Sequence, residues 1–163
     1  MENIKIRMAE SSDMAGVLRL IKELAVFEKE PDAVEVTVDD LIAYGTGNNP
    51  EFMCFVAEDD AAIVGIALFY YRFSTWKGRT VHLEDLIVKQ DRRGEGIGQA
   101  LYAEVIKFGH KQGVRRVEWV VLDWNENAIN FYEKSGALVM KDWHTVQMDK
   151  EGIENFVKAH GGI

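Results

Sequence analysis

The residues whose types and spacing could do chemistry stand together at R-R-G-E-G-I-G, Arg92 to Gly98, between a β-type run and a helical pattern. Gly94, Gly96 and Gly98 alternate there. Glycine takes up positive φ and has no Cβ to block a ligand. Successive N–H groups in such a turn can converge on an anion, and the start of the following helix adds its partial positive charge. Arg92 and Arg93 bring mobile positive charge to the same place in an otherwise acidic chain. A phosphate or pyrophosphate is the natural ligand, with a plain flexible turn as the alternative. Two phosphate motifs are excluded. The string G-x-x-x-x-G-K-S/T occurs nowhere, and G-x-G-x-x-G would need glycine at Gln99 and a place in the first βαβ unit. No nicotinamide cofactor is expected.

The other reactive side chains form no pattern. His82, His110, His144 and His160 show no ligand spacing with each other or with Cys54, so no metal is expected. Cys54 reads as a small buried hydrophobe, and a single cysteine excludes an internal disulfide framework and favours a cytoplasmic setting.

Strands and helices must position that turn. Ile4, Ile6 and Met8 alternate with charged residues as a half-buried strand. Ser11 and Ser12 offer an N-cap to a helix whose apolar face runs Met14, Val17, Leu18, Ile21, Leu24, Ala25. Thr37 starts a short helix reaching about Tyr44. Phe52–Ala57 and Ala62–Phe73 read as a hairpin turning at Glu58–Asp60, and Thr80–Val88 as the next strand. A helix from Gln99 to about Gln112, a strand over Val117–Leu122, a helix over Asn127–Ser135, a strand over Leu138–Met148 and a short helix over Gly152–Ala159 complete the reading. This is a mixed α/β layer structure.

Length and composition bound the rest. With 163 residues, 47% hydrophobic and 28% charged, the chain is read as one globular domain, 1–163. Its net charge of −8 repels phosphate backbones and anionic lipid, so neither nucleic acid nor membrane is an expected partner, whereas a small cation is attracted. The longest apolar run, Ala61–Tyr71, falls short of the about 20 residues a spanning helix needs. The N-terminus shows no signal-peptide core.

The loop Arg93-Gly94-Glu95-Gly96-Ile97-Gly98, following Leu83–Val88, resembles the acetyl-CoA motif R/Q-x-x-G-x-G/A of the GNAT N-acetyltransferases. Arg19–Glu28, Ser74–Thr80, Val121–Asn125 and Asn130–Ala137 are similar to the diamine (spermidine/spermine) and thialysine acetyltransferase branch, and W-K-G-R-T and V-L-D-W-N lean toward thialysine. The likeness covers about residues 4 to 148. It implies a mixed, mostly antiparallel sheet flanked by helices, with fourth and fifth strands splayed to admit the pantetheine arm.

The resemblance also implies roles. Leu86, Ile87 and Val88 would face the pantetheine and thioester through their backbone, and Arg93, Gly94, Glu95, Gly96, Ile97, Gly98 and Gln99 would hold the pyrophosphate. Asn125, Glu126, Asn127 and Tyr132 would stand near the cofactor, with Tyr132 the proton donor to the leaving thiolate. Phe27, Glu28, Glu84, Asp85, Glu118, Trp119 and Val120 would line the amine pocket. A homodimer is expected on the same ground. The short connection between Ala57 and Ala62 and the short segment after Ala137 depart from animal members, so a late acidic position maps only loosely, to Asp142.

The chemistry is consistent with these assignments. An alkylamine with pKa about 10.4 is neutral in about one of a few thousand molecules at pH 7, so Glu84 suits a base acting through water. A strand amide near Ile87 or Val88 would meet the oxyanion. Carboxylates at Glu28, Asp85 and Glu118 would hold a second cationic end. On residue type alone, Tyr132 is a packing residue. Glu84 and Asp85, adjacent in a strand, would point to opposite faces. The expected activity is acetyl transfer from acetyl-CoA to a primary amine of a small cation by direct attack. The rivals are a protein or peptide amine as acceptor, and an acyl-CoA sensor without turnover.

Overall fold

The computed structural model describes residues 4–161. The chain divides into two compact units, Met1–Val120 and Val121–Ile163. In the first unit five strands pair in sequence order: β1 Lys5–Met8, β2 Met53–Asp59, β3 Ala62–Ser74, β4 Gly78–Val88 and β5 Val117–Glu118. All neighbours are antiparallel except β4 and β5, which run parallel. Helices α1 Met14–Phe27, α2 Val38–Gly45 and α3 Ile97–Lys111 belong to the same unit. The sheet is the mixed, mostly antiparallel one expected.

The apolar run at Ala61–Tyr71 is strand β3, buried without interruption from Ile63 to Phe69 because helices cover both faces. One face joins Cys54, Val56, Ile66, Leu68 and Ile87 to Met14, Val17 and Leu20 of α1 and Leu41 of α2. On the other, Phe69 lies 5.3 Å from Phe55 and 4.9 Å from Phe108 of α3. The β2–β3 turn sits at Asp60-Ala61, with φ of +44° and +64°, one position later than expected. Two left-handed residues give the twist that a two-residue hairpin requires.

The start of α1 differs from expectation. Ser11 and Ser12 fall within a 3-10 turn, Ser11–Asp13, and neither caps. Asp13 stands at the N-cap position of α1 without a side-chain cap bond; its carboxylate instead closes the preceding turn, accepting the Glu10 N–H at 2.7 Å and two Arg7 bonds at 2.6 and 2.9 Å. Arg7 also reaches Glu58 at 2.8 Å. Charge-assisted bonds of this kind outweigh what a serine hydroxyl offers. The Arg7 guanidinium holds the Asp13 carboxyl below the usual range. A depressed carboxyl contributes stability above its unfolded value, about 3.9, and loses it as pH falls through the lower folded value. Asp13→Asn should therefore cost about 1–3 kcal/mol near neutral pH. Thermal melting should show the gap from wild type closing below about pH 4. A gap that persists in acid would mean the cost is packing rather than charge.

Thr37 caps α2 as expected, accepting from the Asp40 N–H at 3.2 Å, while the Asp40 carboxylate accepts the Thr37 N–H at 2.9 Å. Strand β4 carries the one irregularity that matters for chemistry. Leu68 pairs with Asp85 and Phe69 with Leu83, so Glu84 is an extra residue, a β-bulge. Strand β5 pairs only through Val81–Val117 and His82–Glu118. Leu83–Val88 continues without a partner on that side among the described residues. The expected strand to Leu122 stops at Glu118, and Val120 is exposed. With only two pairs to β4, the β5 backbone has no ladder to extend it.

In the second unit, α4 Glu126–Lys134 is closed by Gly136 at φ +94°, and α5 Lys150–Ala159 is capped by Asp149, two residues before the expected start. The strand expected over Leu138–Met148 does not form. Alternating apolar residues still need a neighbouring edge to satisfy their N–H and C=O groups, and none pairs with them among the described residues; Leu138 and Val146 stand exposed. Among the described residues no helix is long and apolar enough to cross a membrane.

Candidate active site

The glycine-rich turn joins the end of β4 to α3 through a 3-10 turn, Gln90–Arg92. Gly94 and Gly96 both hold left-handed backbone, φ +84° and +83°, and Gly96 is the N-cap of α3. The helix therefore begins at Ile97, two residues before the expected Gln99, and Gly98 and Gln99 lie in its first turn. The first intrahelical bond is Ala100 N–H to Gly96 O at 3.0 Å. The N–H groups of Ile97, Gly98 and Gln99 thus open a fifteen-residue helix without intrahelical acceptors. A side chain added at Gly94 would meet nothing within 4 Å, so glycine serves backbone shape there, whereas at Gly98 it would approach Val88 Cγ2 at 3.5 Å. Ile97, fully buried, anchors the turn. This donor set fits a pyrophosphate, as acetyl-CoA would present.

The two arginines are already engaged. Arg92 is clamped by Asp59 at 2.6 Å and by both Glu95 oxygens at 2.9 and 3.0 Å, which ties up Glu95 as well. Arg93 donates Nε–H to Val88 O at 3.0 Å, stands 3.9 Å from Glu23 and lies 5.2 Å over the Phe27 ring. Acidic neighbours already held these charges, which a reading of the loop alone could not see.

Along β4, Lys89 donates its N–H to Val64 O at 2.9 Å. Strict antiparallel alternation then places the Ile87 backbone in the ladder with Ile66, and turns the N–H and C=O groups of Leu86 and Val88 away from β3. Of the three residues expected to face the cofactor, Leu86 and Val88 have backbone groups on the open edge. Ile87 supplies its side chain to the core.

The bulge changes the expected geometry of the two acids. Glu84 and Asp85 were expected on opposite faces, but the extra residue breaks the alternation and both lie on the α1 side. Asp85 is level with Leu68 and acts on Cys54, in the α1-side core. Glu84 meets Tyr70, two residues along β3 from Leu68: Tyr70 Oη donates to Glu84 Oε2 at 2.9 Å. His82 Nε2 lies 3.5 Å from the same carboxylate oxygen. The Asp85 carboxyl is pushed up to about 6, chiefly by burial, then by the charges of Glu84 and Glu28. Glu28, just past α1, is raised by partial desolvation of its carboxyl, although the residue as a whole is exposed. Three carboxylates thus gather on one face. Tyr70 and His82 were missed in sequence; the only signal was the i, i+2 spacing of His82 and Glu84.

The remaining pocket residues vary. Glu118 is engaged by Arg72 at 3.1 Å and Arg116 at 2.7 Å, so its charge is already balanced. The Trp119 ring meets Tyr102 edge-on at 5.5 Å. In the second unit, Asn125 caps α4, its side-chain oxygen accepting from Ala128 N–H at 3.3 Å, and Glu126 and Asn127 stand exposed in the first turn. Tyr132 is buried, its ring 5.2 Å from Phe131. Asp142 is exposed. No group of three or more His, Cys, Asp or Glu that could hold a metal occurs among the described residues.

Comparison with known proteins agrees with this architecture. The chain is 37% identical over 161 residues to a thialysine N-epsilon-acetyltransferase of Bos taurus, covering 92% of this chain and 95% of that one. It is 35% identical over 163 residues to spermidine/spermine N(1)-acetyltransferase-like protein 1 of Homo sapiens, covering 94% of this chain and 24% of that longer protein. A solved integron cassette protein from V. cholerae shares the fold, with TM-score 0.78 at 19% identity over 96% of this chain and 98% of that one. The profile of the acetyltransferase (GNAT) family matches residues 17–137, and with it the chain belongs to the GNAT N-acetyltransferases.

Proposed function

We propose that this enzyme moves acetyl from acetyl-CoA to a primary amine of a small cationic molecule, a thialysine- or lysine-like amine or a di- or polyamine, by direct attack in a ternary complex. The observation that carries this reading is the gathering of Glu28, Glu84 and Asp85 on one sheet face, in the unit that carries the glycine turn. Such a face attracts a substrate with more than one ammonium group. The relatives named for thialysine and spermidine/spermine support the same class.

Acetyl-CoA supplies the acetyl group as a thioester. The chain's own part is to bind, place and move protons. Gly94 to Gln99 and Arg93 hold the pyrophosphate, and Asn125, Glu126 and Asn127 flank the cofactor. The open-edge N–H of Val88 donates to the oxygen on which charge develops. Phe27, Trp119 and Val120 wall the amine, with Glu118 able to engage it only in competition with two arginines. Glu28 and Asp85 hold the distal ammonium. As the C–N bond forms and the C–S bond breaks, one proton leaves the amine through water to Glu84, and Tyr132 gives one to the departing sulfur. In this reading the chain, 1–163, is a single acetyltransferase domain in a cytoplasmic homodimer.

The test is thiol release by wild type and Tyr132→Phe across thialysine, lysine, putrescine, spermidine, an aminoglycoside and a lysine peptide. Saturable turnover on one small polycation is expected. A thiol with pKa about 8.5 leaves without much help, so the phenylalanine variant should lose about tenfold in kcat with unchanged acetyl-CoA KM. Turnover on the peptide alone would replace the small-amine reading. Acetyl-CoA binding without any turnover would make the chain a sensor.

A further inference from the structure

Both described contacts of Glu84 fall on one of its two oxygens. Tyr70 Oη donates to Oε2 at 2.9 Å, and His82 Nε2 stands 3.5 Å from Oε2. Tyr70 and His82 face each other across the β3–β4 ladder as a register pair, with ring centroids 5.2 Å apart. The Glu84 side chain is 51% exposed while that of His82 is 12% exposed, so the carboxylate reaches outward from a buried support. The bulge produces this placement by adding one residue between Leu83 and Asp85.

We propose that Tyr70 and His82 are positioning residues that fix Glu84 through Oε2 and leave Oε1 to the amine or its water. The proposal rests on the role given to Glu84 above. It draws on a further feature of His82: Nδ1 is buried and has no hydrogen-bond partner. A buried lone pair without a donor costs less than a buried N–H without an acceptor, and an imidazolium would carry an N–H on both nitrogens. The tautomer that leaves Nδ1 bare carries its proton on Nε2, which stands 3.5 Å from Glu84 Oε2. Tyr70 is a constant donor as well, since burial and Glu84 together push its hydroxyl up to about 12. The Tyr70 hydrogen bond and the His82 contact together fix the direction of the carboxylate and leave Oε1 as its open acceptor.

Other charges surround the group. Asp85, next to it on β4, acts with Glu84, and Glu28 from the end of α1 acts on Asp85; Arg72 from β3 and Glu118 from β5, paired with each other, act on Tyr70. Because these are common to all variants below, differences among the variants report the two donors.

The experiment is carboxyl-carbon NMR titration of Glu84 in the free protein, beside pH profiles of kcat/KM. Tyr70→Phe and His82→Phe should each raise the Glu84 titration midpoint by about half to one unit. The acid limb of kcat/KM should move by the same amount, with kcat down about fivefold and the amine KM within about twofold. His82→Gln keeps an amide donor and should restore most of the shift. An unmoved midpoint and acid limb in Tyr70→Phe, which keeps the ring and its packing, would overturn the positioning role. If Glu84→Gln itself retains the wild-type acid limb, the base assignment fails. If that variant loses the limb while Tyr70→Phe and His82→Phe leave it in place, the base stands and only the positioning role falls.

Discussion

Glu84→Gln is expected to lower kcat about a hundredfold near pH 7, at the lower end of the range for loss of a general base, while the KM for acetyl-CoA stays within about twofold. Glutamine keeps the size and can still accept the Tyr70 bond, so the change isolates proton acceptance. The size of the effect follows from the substrate. An alkylammonium with pKa about 10.4 presents a free lone pair in only about one molecule per few thousand at neutral pH. Any group that takes the proton as the amine enters the reaction recovers that factor in part. The deficit of the variant should narrow as pH rises toward the amine's own pKa, because bulk hydroxide then does the same work. Initial rates of thiol release across pH measure both. Turnover within about twofold of wild type near pH 7 would remove Glu84 as base and leave Asp85 and Glu28 as the remaining carboxylates on that face.

The alternative is concrete because the bulge was not legible in the sequence. Read as an uninterrupted strand, Leu83-Glu84-Asp85-Leu86 places Glu84 and Asp85 on opposite faces. Only the pairing of Leu68 with Asp85 and Phe69 with Leu83 shows the extra residue. Elements with strong local signals were readable: the 3.6-residue face of α1, the Thr37 cap, the apolar run of β3 and the glycines before α3. Features that depend on a distant partner were not. Arg92 looked free until Asp59, on β2, was placed beside it, and Asp13, not a serine, took the α1 N-cap position with its carboxylate held by Arg7 on β1. The segment Leu138–Met148 has a strand's pattern and no strand's neighbour. A pattern specifies which face would be buried, whereas hydrogen-bond partners decide whether a strand exists. The site divided in the same way. The loop could be read from glycine spacing and a motif resemblance, but Tyr70 and His82 could be found only from cross-strand register.

Asp85→Asn is expected to stabilise the protein near neutral pH and to impair it as an enzyme. Burial, then Glu84 and Glu28, push the Asp85 carboxyl up to about 6, against about 3.9 in an unfolded chain. Between those values the folded protein keeps a proton that the unfolded chain has lost. Stability therefore falls as pH rises through this window, and the whole cost of the charge is present above it. Each unit corresponds to about 1.4 kcal/mol, so with allowance for partial solvent access the cost near pH 7 is on the order of 2 kcal/mol. Removing it should raise Tm by roughly 4–8 °C near pH 7 and by nothing near pH 4, where wild-type Asp85 is already neutral. Equal gains at both pH values would assign the effect to packing. A loss of stability near pH 7 would show that something in the folded protein favours the charge. A cationic substrate is what should favour it: an ammonium beside Asp85 would draw its pKa back down and return the energy as binding. The amine KM of the variant should accordingly rise about tenfold, and saturating amine should stabilise wild type more than the variant near pH 7. A face that crowds three carboxylates at a cost to the empty enzyme would thereby gain affinity for a polyamine or diamino acid over a monoamine, since only the former brings the second charge that relieves it.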